Sequence, residues 1–402
     1  MDYKNSTDST TTIQPPDKLI ERRPIRILHV VGGMNLAGVE TTLMHMLRHI
    51  DRDRFKMDFL VHTERQCSYD DEIRSLGSQI IPCLNRRQPW IYAANFRQIM
   101  QNYGPYDIIH CHVHHFDGYV LRLAQQCGIP VRIAHSRNNT SAIDAKAGLF
   151  RRWYLTLMKK WILHYATFGL ASSRQAAACL FGSDWESDPR WQIFVPARDM
   201  NTFPNSVDSI AVRKELGIPA DALVIGHVGR FSAQKNHRFM VEIAAEVAKR
   251  ESKMCFLFVG DGLLRSQIEQ KVAQLNLTDR VIFTGVRSDV PRLMLGAMNI
   301  FLFPSLHEGL GSVGFEAQAQ GLPCVFSDVL PEELDVVEPL VKRISLSKSA
   351  SQWAEELLAH RHAASAITQR DALTVVRASP FNIETSVKDL TSIYNTKITK
   401  AK

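Results

Sequence analysis

Phe301 to Val325 reads FLFPSLHEGLGSVGFEAQAQGLPCV, and the order of its parts decides the fold. An apolar strand, Asn299 to Phe303, is ended by Pro304. A turn punctuated by Gly309, Gly311 and Gly314 follows. A short helix from about Val313 to Gln320 then stops at Gly321, the residue type favoured just past a helix C-terminus. The next strand, Pro323 to Ser327, begins at once. Strand, glycine turn, helix and strand make the repeating unit of a parallel α/β sheet. Two carboxylates straddle the turn, Glu308 in the loop and Glu316 in the first helical turn. Backbone N–H groups of the turn and the positive end of the helix point to the same place. A sugar linked to a diphosphate needs such parts: an acceptor for sugar hydroxyls, donors for phosphate and a carboxylate for a ribose diol.

The same alternation extends on the N-terminal side. Strands are predicted at Leu223–Val228, Met254–Val259 and Val281–Thr284, with helices at Asn236–Arg250, Leu263–Leu275 and Val290–Ala297. An earlier series has strands at Ile25–Val31, Lys56–Val61, Gln79–Pro82, Asp107–His112, Val131–Ser136 and Phe168–Ser172, separated by helices. Its first strand, IRILHVV, is nearly continuous apolar, as a parallel strand buried on both faces should be. Asp184 to Ala220, rich in Pro, Asp and Ser, reads as a linker between the two series. FNIETSVKDLTSIY, Phe381 to Tyr394, predicts a final amphipathic helix. The expected fold class is α/β, with two Rossmann-like parallel-sheet domains facing across a cleft. Residues 25–200 form the first domain and 201–375 the second; 376–402 form a terminal helix and tail.

The chain has 402 residues, 45% of them hydrophobic and 22% charged, the composition of a globular protein with ample core. No run approaches the roughly 18 apolar residues of a membrane span. Residues 1–24 carry no apolar segment and are expected to be disordered, not a secretory signal. Seven scattered cysteines without metal-ligand spacing read as reduced thiols of a cytoplasmic protein. The net charge of +7 is compatible with anionic substrates, nucleic acid or an anionic membrane face, and does not choose among them. KAGLFRRWYLTLMKKWILHYA, residues 146–166, is a basic aromatic helix with two readings: it lies on a membrane surface, or it is a core helix with a solvated charged side.

Several loops at strand C-terminal ends carry chemistry, and that edge is where α/β sheets bind ligands. GRFSAQKN, Gly229 to Asn236, places Arg230 and Lys235 five apart before a helix with Asn236 as its N-cap. Two cations at a helix N-terminus clamp a diphosphate and gain interaction as charge develops on it; the alternative is an exposed basic loop. VGDGLLR, Val259 to Arg265, is a tight turn whose Gly262 lets backbone approach a ligand. FTGVRSDV, Phe283 to Val290, puts the backbone around Val286 where it can meet a nucleobase, with Arg287 either beside it or a surface charge. In the first half, GGMNLAGVE holds Gly32, Gly33 and Gly38. It departs from the dinucleotide fingerprint but remains a glycine loop suited to phosphate or to the reacting sugar. HCHVHH, His110 to His115, places His110, His112 and His114 on one side and invites a metal reading. No distant carboxylate or cysteine set completes it, so a histidine bonding a sugar hydroxyl is the preferred reading. AHSRNN places His135 and Arg137 at the same edge, toward acceptor or phosphate.

Together these stretches resemble glycosyltransferase family 4, the retaining, nucleotide-sugar-dependent group with the GT-B fold. The resemblance covers residues 25–395 and is closest to the bacterial branch that builds exopolysaccharide and capsule, where GG…AGVE, the HCH strand end and AHSRN also occur. It implies that Arg230 and Lys235 hold the donor diphosphate. Glu308 would contact donor-sugar hydroxyls beside the backbone of Gly311, Ser312 and Val313. Glu316 would bind ribose, and His112 would lie near the anomeric carbon. Gly33, Gly262 and Val286 would join the donor site, and Gly38, His135 and Arg137 the acceptor side. Neither metal nor cofactor is implied, because the cations do a divalent ion's work, and no protein nucleophile is demanded. One departure is plain: the family's linker carries Pro-Asn-Gly followed by Ile or Val and an acid, whereas VPARD, Val195 to Asp199, stands here.

The expectation is therefore a retaining glycosyltransferase moving a hexose or N-acetylhexosamine, UDP-linked, onto a saccharide or lipid-linked acceptor in exopolysaccharide or capsule synthesis. Its place is the cytoplasm, at the inner membrane face if the basic helix touches anionic lipid; no nucleic-acid partner is expected. The alternatives are a GT-B nucleotide-sugar epimerase and a non-catalytic GT-B partner subunit.

Overall fold

A computed structural model of the chain describes residues 23–363 and 367–401. The expectation of disorder over residues 1–24 falls outside these, apart from its last two positions. In the first half, β1 (Ile25–Val31), β2 (Phe55–Val61), β3 (Ile80–Pro82), β4 (Ile108–Cys111), β5 (Val131–Ser136), β6 (Phe168–Ala171) and β7 (Trp191–Ile193) make one sheet in the order β3-β2-β1-β4-β5-β6-β7. In the second, β8 (Leu223–Val228), β9 (Met254–Val259), β10 (Val281–Phe283), β11 (Ile300–Phe303), β12 (Cys324–Ser327) and β13 (Val341–Ile344) make a sheet in the order β10-β9-β8-β11-β12-β13. The pairings are parallel. Strand order reverses between β1 and β4 and between β8 and β11, and a ligand crevice opens at such switch points.

Each sheet is covered on both faces, which is why its strands are apolar on both sides. Leu28, Val30 and Ile109 face one core of the first half; Ile27, Val31 and Ile108 face the other. The second half repeats this with Leu257 and Phe301 on one face and Phe256 and Leu302 on the other.

The expected linker is more structured than its composition suggests. Three of its residues form β7, where Trp191 stacks on Phe181 with ring centroids 4.5 Å apart. A Cβ at Gly169 would sit 2.3 Å from the Trp191 ring, so glycine at 169 makes room for that strand. A helix at Ser209–Glu215 is capped by Asp208, whose side chain accepts from Ala211 N–H. Sequence reading also passed over β13 and two helices. Ala350–His360 starts with a capping box between Ser349 and Gln352, and Gln369–Arg377 is capped by Thr368.

The chain crosses between halves twice. Phe194 and Ala197 pack with the first half, Met200 and Phe203 with the second. Phe381 packs with the second half, whereas Ile383, Leu390, Tyr394 and Ile398 of the last helix, Ile383–Ala401, return to the first. The two crossings lie side by side: Arg198 N–H donates to Phe381 O at 2.9 Å, and Ile383 N–H to Arg198 O at 3.0 Å. Among the described residues no helix is long and apolar enough to cross a membrane.

Candidate active site

The loop after β8 and the loop after β11 meet at the C-terminal edge of the second sheet. Leu306 N–H donates to Gln234 O at 2.9 Å and ties them together. Lys235 Nζ lies 2.8 Å from Glu308 Oε1, and Gln234 Nε2 donates to Glu308 Oε2 at 2.9 Å. Lys235 Nζ also stands 4.6 Å from the centre of the Phe303 ring. Glu308 is only 6% exposed, so the lysine, the amide and the ring define its position. Asn236 precedes the following helix in a left-handed conformation, φ 59°, with no side-chain cap bond. Its Nδ2 donates to Pro304 O instead, at 3.1 Å. Arg230 is exposed and its charge acts on Glu40 across the crevice.

The glycines of the Glu308 turn have separate reasons. A Cβ at Gly309 would fall 2.0 Å from Arg137 O, so the halves come into close contact here. Gly309 O also accepts from Ser173 Oγ of the first half. Gly311 has φ +90° and packs against Phe303 and Glu308. Gly262 makes its close approach to the Phe231 backbone, 2.6 Å from a Cβ to Phe231 O, so protein packing already accounts for that glycine. Val286 presents a half-exposed side chain after β10, and Arg287 pairs with Glu215 and Asp289.

On the first-half side, histidines form a row across adjacent strands. His29 on β1 is in register with His110 on β4. His29 Nδ1 is 3.1 Å from His112 Nε2, His110 Nε2 is 3.0 Å from His135 Nδ1, and His110 Nδ1 is 2.8 Å from the Tyr394 hydroxyl of the last helix. Burial drives all four imidazoles far below their ordinary pKa, and Arg137 adds to this, so the row is neutral near pH 7. Arg137 is itself pulled down by burial, and its Nε and Nη1 have no hydrogen-bond partner among the described residues. His112 Nδ1 and His135 Nε2 are unpartnered as well. Burial raises Glu40 above the usual carboxylate range, against the pull of Arg230 and Arg137. Unpaired buried groups of this kind cost free energy unless a ligand or water satisfies them.

Glu316 is placed by a residue that sequence reading missed. Arg198, 6% exposed, donates from Nε to Glu316 Oε1 at 2.7 Å. Its Nη1 donates to Thr42 Oγ1 at 2.8 Å and its Nη2 to Ser312 Oγ at 3.1 Å. Gly38 faces Ser312 of the opposite half, 3.8 Å from a Cβ to Ser312 Oγ. Gly33, expected at the donor site, is buried, and a Cβ there would meet Thr63 at 2.9 Å and Cys67 at 3.1 Å. Its neighbour Gly32 is exposed, with open space where a Cβ would stand.

Contrary to the expectation from sequence, a carboxylate and a cysteine do stand beside one of the HCHVHH histidines. Asp144 and Cys179 do reach His114, each with a ligand atom within 4.8 Å of the others, as are ring nitrogens of His29, His110 and His112. Thr140 links the first group, with its Oγ1 2.8 Å from His114 Nε2 and 2.7 Å from Asp144 Oδ2. The Cys179 thiol sits at about 6: burial would raise it, but donors from His114, Ser141 and Thr140 outweigh that.

Of the residues expected from sequence, Lys235 and Glu308 touch, and Gly309 joins their loop to Arg137. His112 and His135 share one buried row. Glu40, His29, Arg198, Gln234 and Tyr394 were not anticipated; a lone histidine inside the apolar IRILHVV run was the available signal for His29.

Comparison with known proteins agrees with this architecture. The family described as Glycosyltransferase Family 4 matches residues 36–209, and Glycosyl transferases group 1 matches residues 208–360. The chain is 34% identical over 376 residues to a putative glycosyltransferase, EpsF, of Bacillus subtilis, covering 92% of this chain and 96% of that one. It is 26% identical over 326 residues to the UDP-Gal:alpha-D-GlcNAc-diphosphoundecaprenol alpha-1,3-galactosyltransferase of Escherichia coli, covering 76% and 80%. Among solved structures, Anabaena HepE in complex with UDP-glucose superposes with a TM-score of 0.76 at 18% identity, covering 92% of this chain and 100% of that chain.

Proposed function

We propose that this chain, which belongs to glycosyltransferase family 4 and is a glycosyltransferase of GT-B type, moves a hexose or N-acetylhexosamine from a UDP-sugar onto a polysaccharide or lipid-linked acceptor with retention. The observation that carries the reading is the Lys235–Glu308 pair at the switch-point edge, facing Arg137 across the Gly309 contact. A UDP donor is supported by HepE, which holds UDP-glucose, and by the E. coli relative, named for a UDP-Gal reaction on a diphosphoundecaprenol-linked sugar. An exopolysaccharide setting rests on the likeness to EpsF.

In this reading the second half binds donor and the first half acceptor. Arg230 and Lys235 receive the diphosphate, with Val286 and Gly262 beside the nucleotide. Glu308 has one bond on each oxygen, which leaves lone pairs for sugar hydroxyls. Glu316 takes the ribose diol. His112 faces the anomeric carbon with its unpartnered Nδ1. The acceptor oxygen forms its bond to that carbon as the carbon–phosphate oxygen bond breaks on the same face. The hydroxyl proton passes to the leaving diphosphate, whose charge the two cations stabilise without a divalent ion. Arg137 offers unpaired donors to an anionic group of acceptor or donor.

Membrane contact is supported at the start of the helix Leu149–Tyr165. Leu155, Met158 and Ile162 form its buried face, while Phe150 and Trp153 are 93% and 69% exposed beside Arg151 and Arg152. This exposed aromatic and basic end supports a peripheral position at an anionic membrane face, in our reading the cytoplasmic one. Flotation with anionic vesicles should be lost in Phe150→Ala/Trp153→Ala; unchanged flotation removes the membrane role.

The transfer is tested by UDP release from UDP-sugars with an acceptor extract, with and without EDTA. Lys235→Ala and Glu308→Ala should each reduce turnover about a hundredfold or more. Full activity in both variants would remove the proposed roles.

A further inference from the structure

The geometry points to Arg198 as a positioning residue for recognition of the donor's ribose, acting through Glu316 from the connection between the two halves. This rests on the reading of Glu316 as the ribose carboxylate. Arg198 comes from neither half's motif loops; it lies on the first crossing, with its backbone paired to the second. Its guanidinium spends its three nitrogens on three side chains of two helices, one in each half. Nε holds Glu316 Oε1 at 2.7 Å, Nη2 holds Ser312 Oγ at 3.1 Å, and Nη1 holds Thr42 Oγ1 at 2.8 Å. Thr42 belongs to the first-half helix Gly38–His49, and its hydroxyl also donates to Gly38 O at 2.9 Å.

The consequence lies in which oxygen is left. Oε1 of Glu316 is committed to the guanidinium, whereas Oε2 has no donor among the described residues. A glutamate on a seven-residue helix could swing through several rotamers. With Oε1 pinned, the carboxylate plane is fixed and Oε2 is the oxygen presented to a diol. The planar fork suits this task, because a guanidinium serves several acceptors in one fixed geometry and an ammonium does not. The same fork ties Glu316 and Ser312 of the second half to Thr42 of the first. The carboxylate that meets the ribose is therefore braced from both halves.

The test is calorimetric binding of UDP and 2′-deoxy-UDP to the full-length protein, its Arg198→Ala, Arg198→Lys and Glu316→Ala variants, and the Arg198→Ala/Glu316→Ala double variant. Wild-type protein should prefer UDP over the deoxy form by roughly tenfold, the worth of a hydrogen bond to a charged group. Glu316→Ala should abolish that preference, Arg198→Ala should bring it to about twofold or less, and the double variant should match Glu316→Ala. Arg198→Lys should fall between wild type and Arg198→Ala. A merely structural role predicts equal weakening of both nucleotides with the preference intact. That result overturns the proposal, as does tighter UDP binding in Arg198→Ala, which would make the arginine a competitor of ribose. If Arg198→Ala does not fold, an undiminished preference in Arg198→Lys overturns it. Wild-type protein that binds no UDP, or Glu316→Ala that keeps the preference, would fault the assignment of the donor or of Glu316 instead.

Discussion

Lys235 and Glu308 illustrate how much rests on single side chains. They stand 2.8 Å apart with little water around either. Removing the lysine strands a buried carboxylate, and breaking such a pair from one side costs about 3–5 kcal/mol. Lys235→Ala should lower the unfolding free energy measured in urea by about 3 kcal/mol, and adding Glu308→Ala should recover part of that loss. Equal stability of wild type and single variant would mean the pair is solvated and the site is not pre-formed. These two residues were legible because each lies in a short loop after a predicted strand, and loop chemistry reads locally. Arg198 and Glu316 are 118 residues apart, and no spacing rule joins them. Gly32 and Gly33 look alike in sequence for a related reason: only the neighbouring Thr63 and Cys67, far along the chain, decide which one is packed away.

At the scale of elements, β1, β4 and β5 bring His29, His110, His112 and His135 into one neutral row. Each has a folded pKa below its unfolded value near 6.5, His29 at about 3. Unfolding therefore takes up protons below pH 6.5, and the stability these groups contribute is present above that pH and lost as pH falls. Each should cost about 1 kcal/mol between pH 6.5 and 5.5. Denaturant midpoints should drop steeply over that interval, and His29→Gln should make the slope shallower by about one proton. A pH-independent midpoint would show that the histidines remain accessible to protons when folded. The strands that bear this row were readable from their apolar runs, but their lateral order was not. The alternating helices and strands could also not reveal β7. Its WQI stands in a Pro- and Asp-rich stretch without an apolar run, unlike the equally short β3 and β10, and what defines that strand is Trp191 lying over Gly169.

The molecule as a whole is two sheet-centred halves that meet through loops and helix ends. Gly309 against Arg137, Ser173 against Gly309, and Arg174 N–H to a Glu333 oxygen at 2.7 Å join the faces of the crevice. Gly309→Ala would place a Cβ 2.0 Å from Arg137 O and force the halves apart while leaving the donor loops whole. UDP affinity should change by less than about threefold, while sugar transfer falls about a hundredfold, as misplacement of reacting groups by about 1 Å can cause. Equal loss of both would indicate that the loop itself had collapsed. The two-domain plan was evident from a strand–helix series occurring twice. The return of the last helix to the first half was not, because an amphipathic stripe declares a buried face without naming the partner; Tyr394 meeting His110 is that partner.

That return has a mechanical outcome. A panel hung from two adjacent pins swings about the line joining them and resists twisting about any other. The segments at Arg198 and Phe381–Ile383 are such pins, held together by two backbone hydrogen bonds. Opening of the enzyme then has essentially one allowed direction, and the side chain that grips Glu316 sits on the axle, where displacement during the swing is smallest.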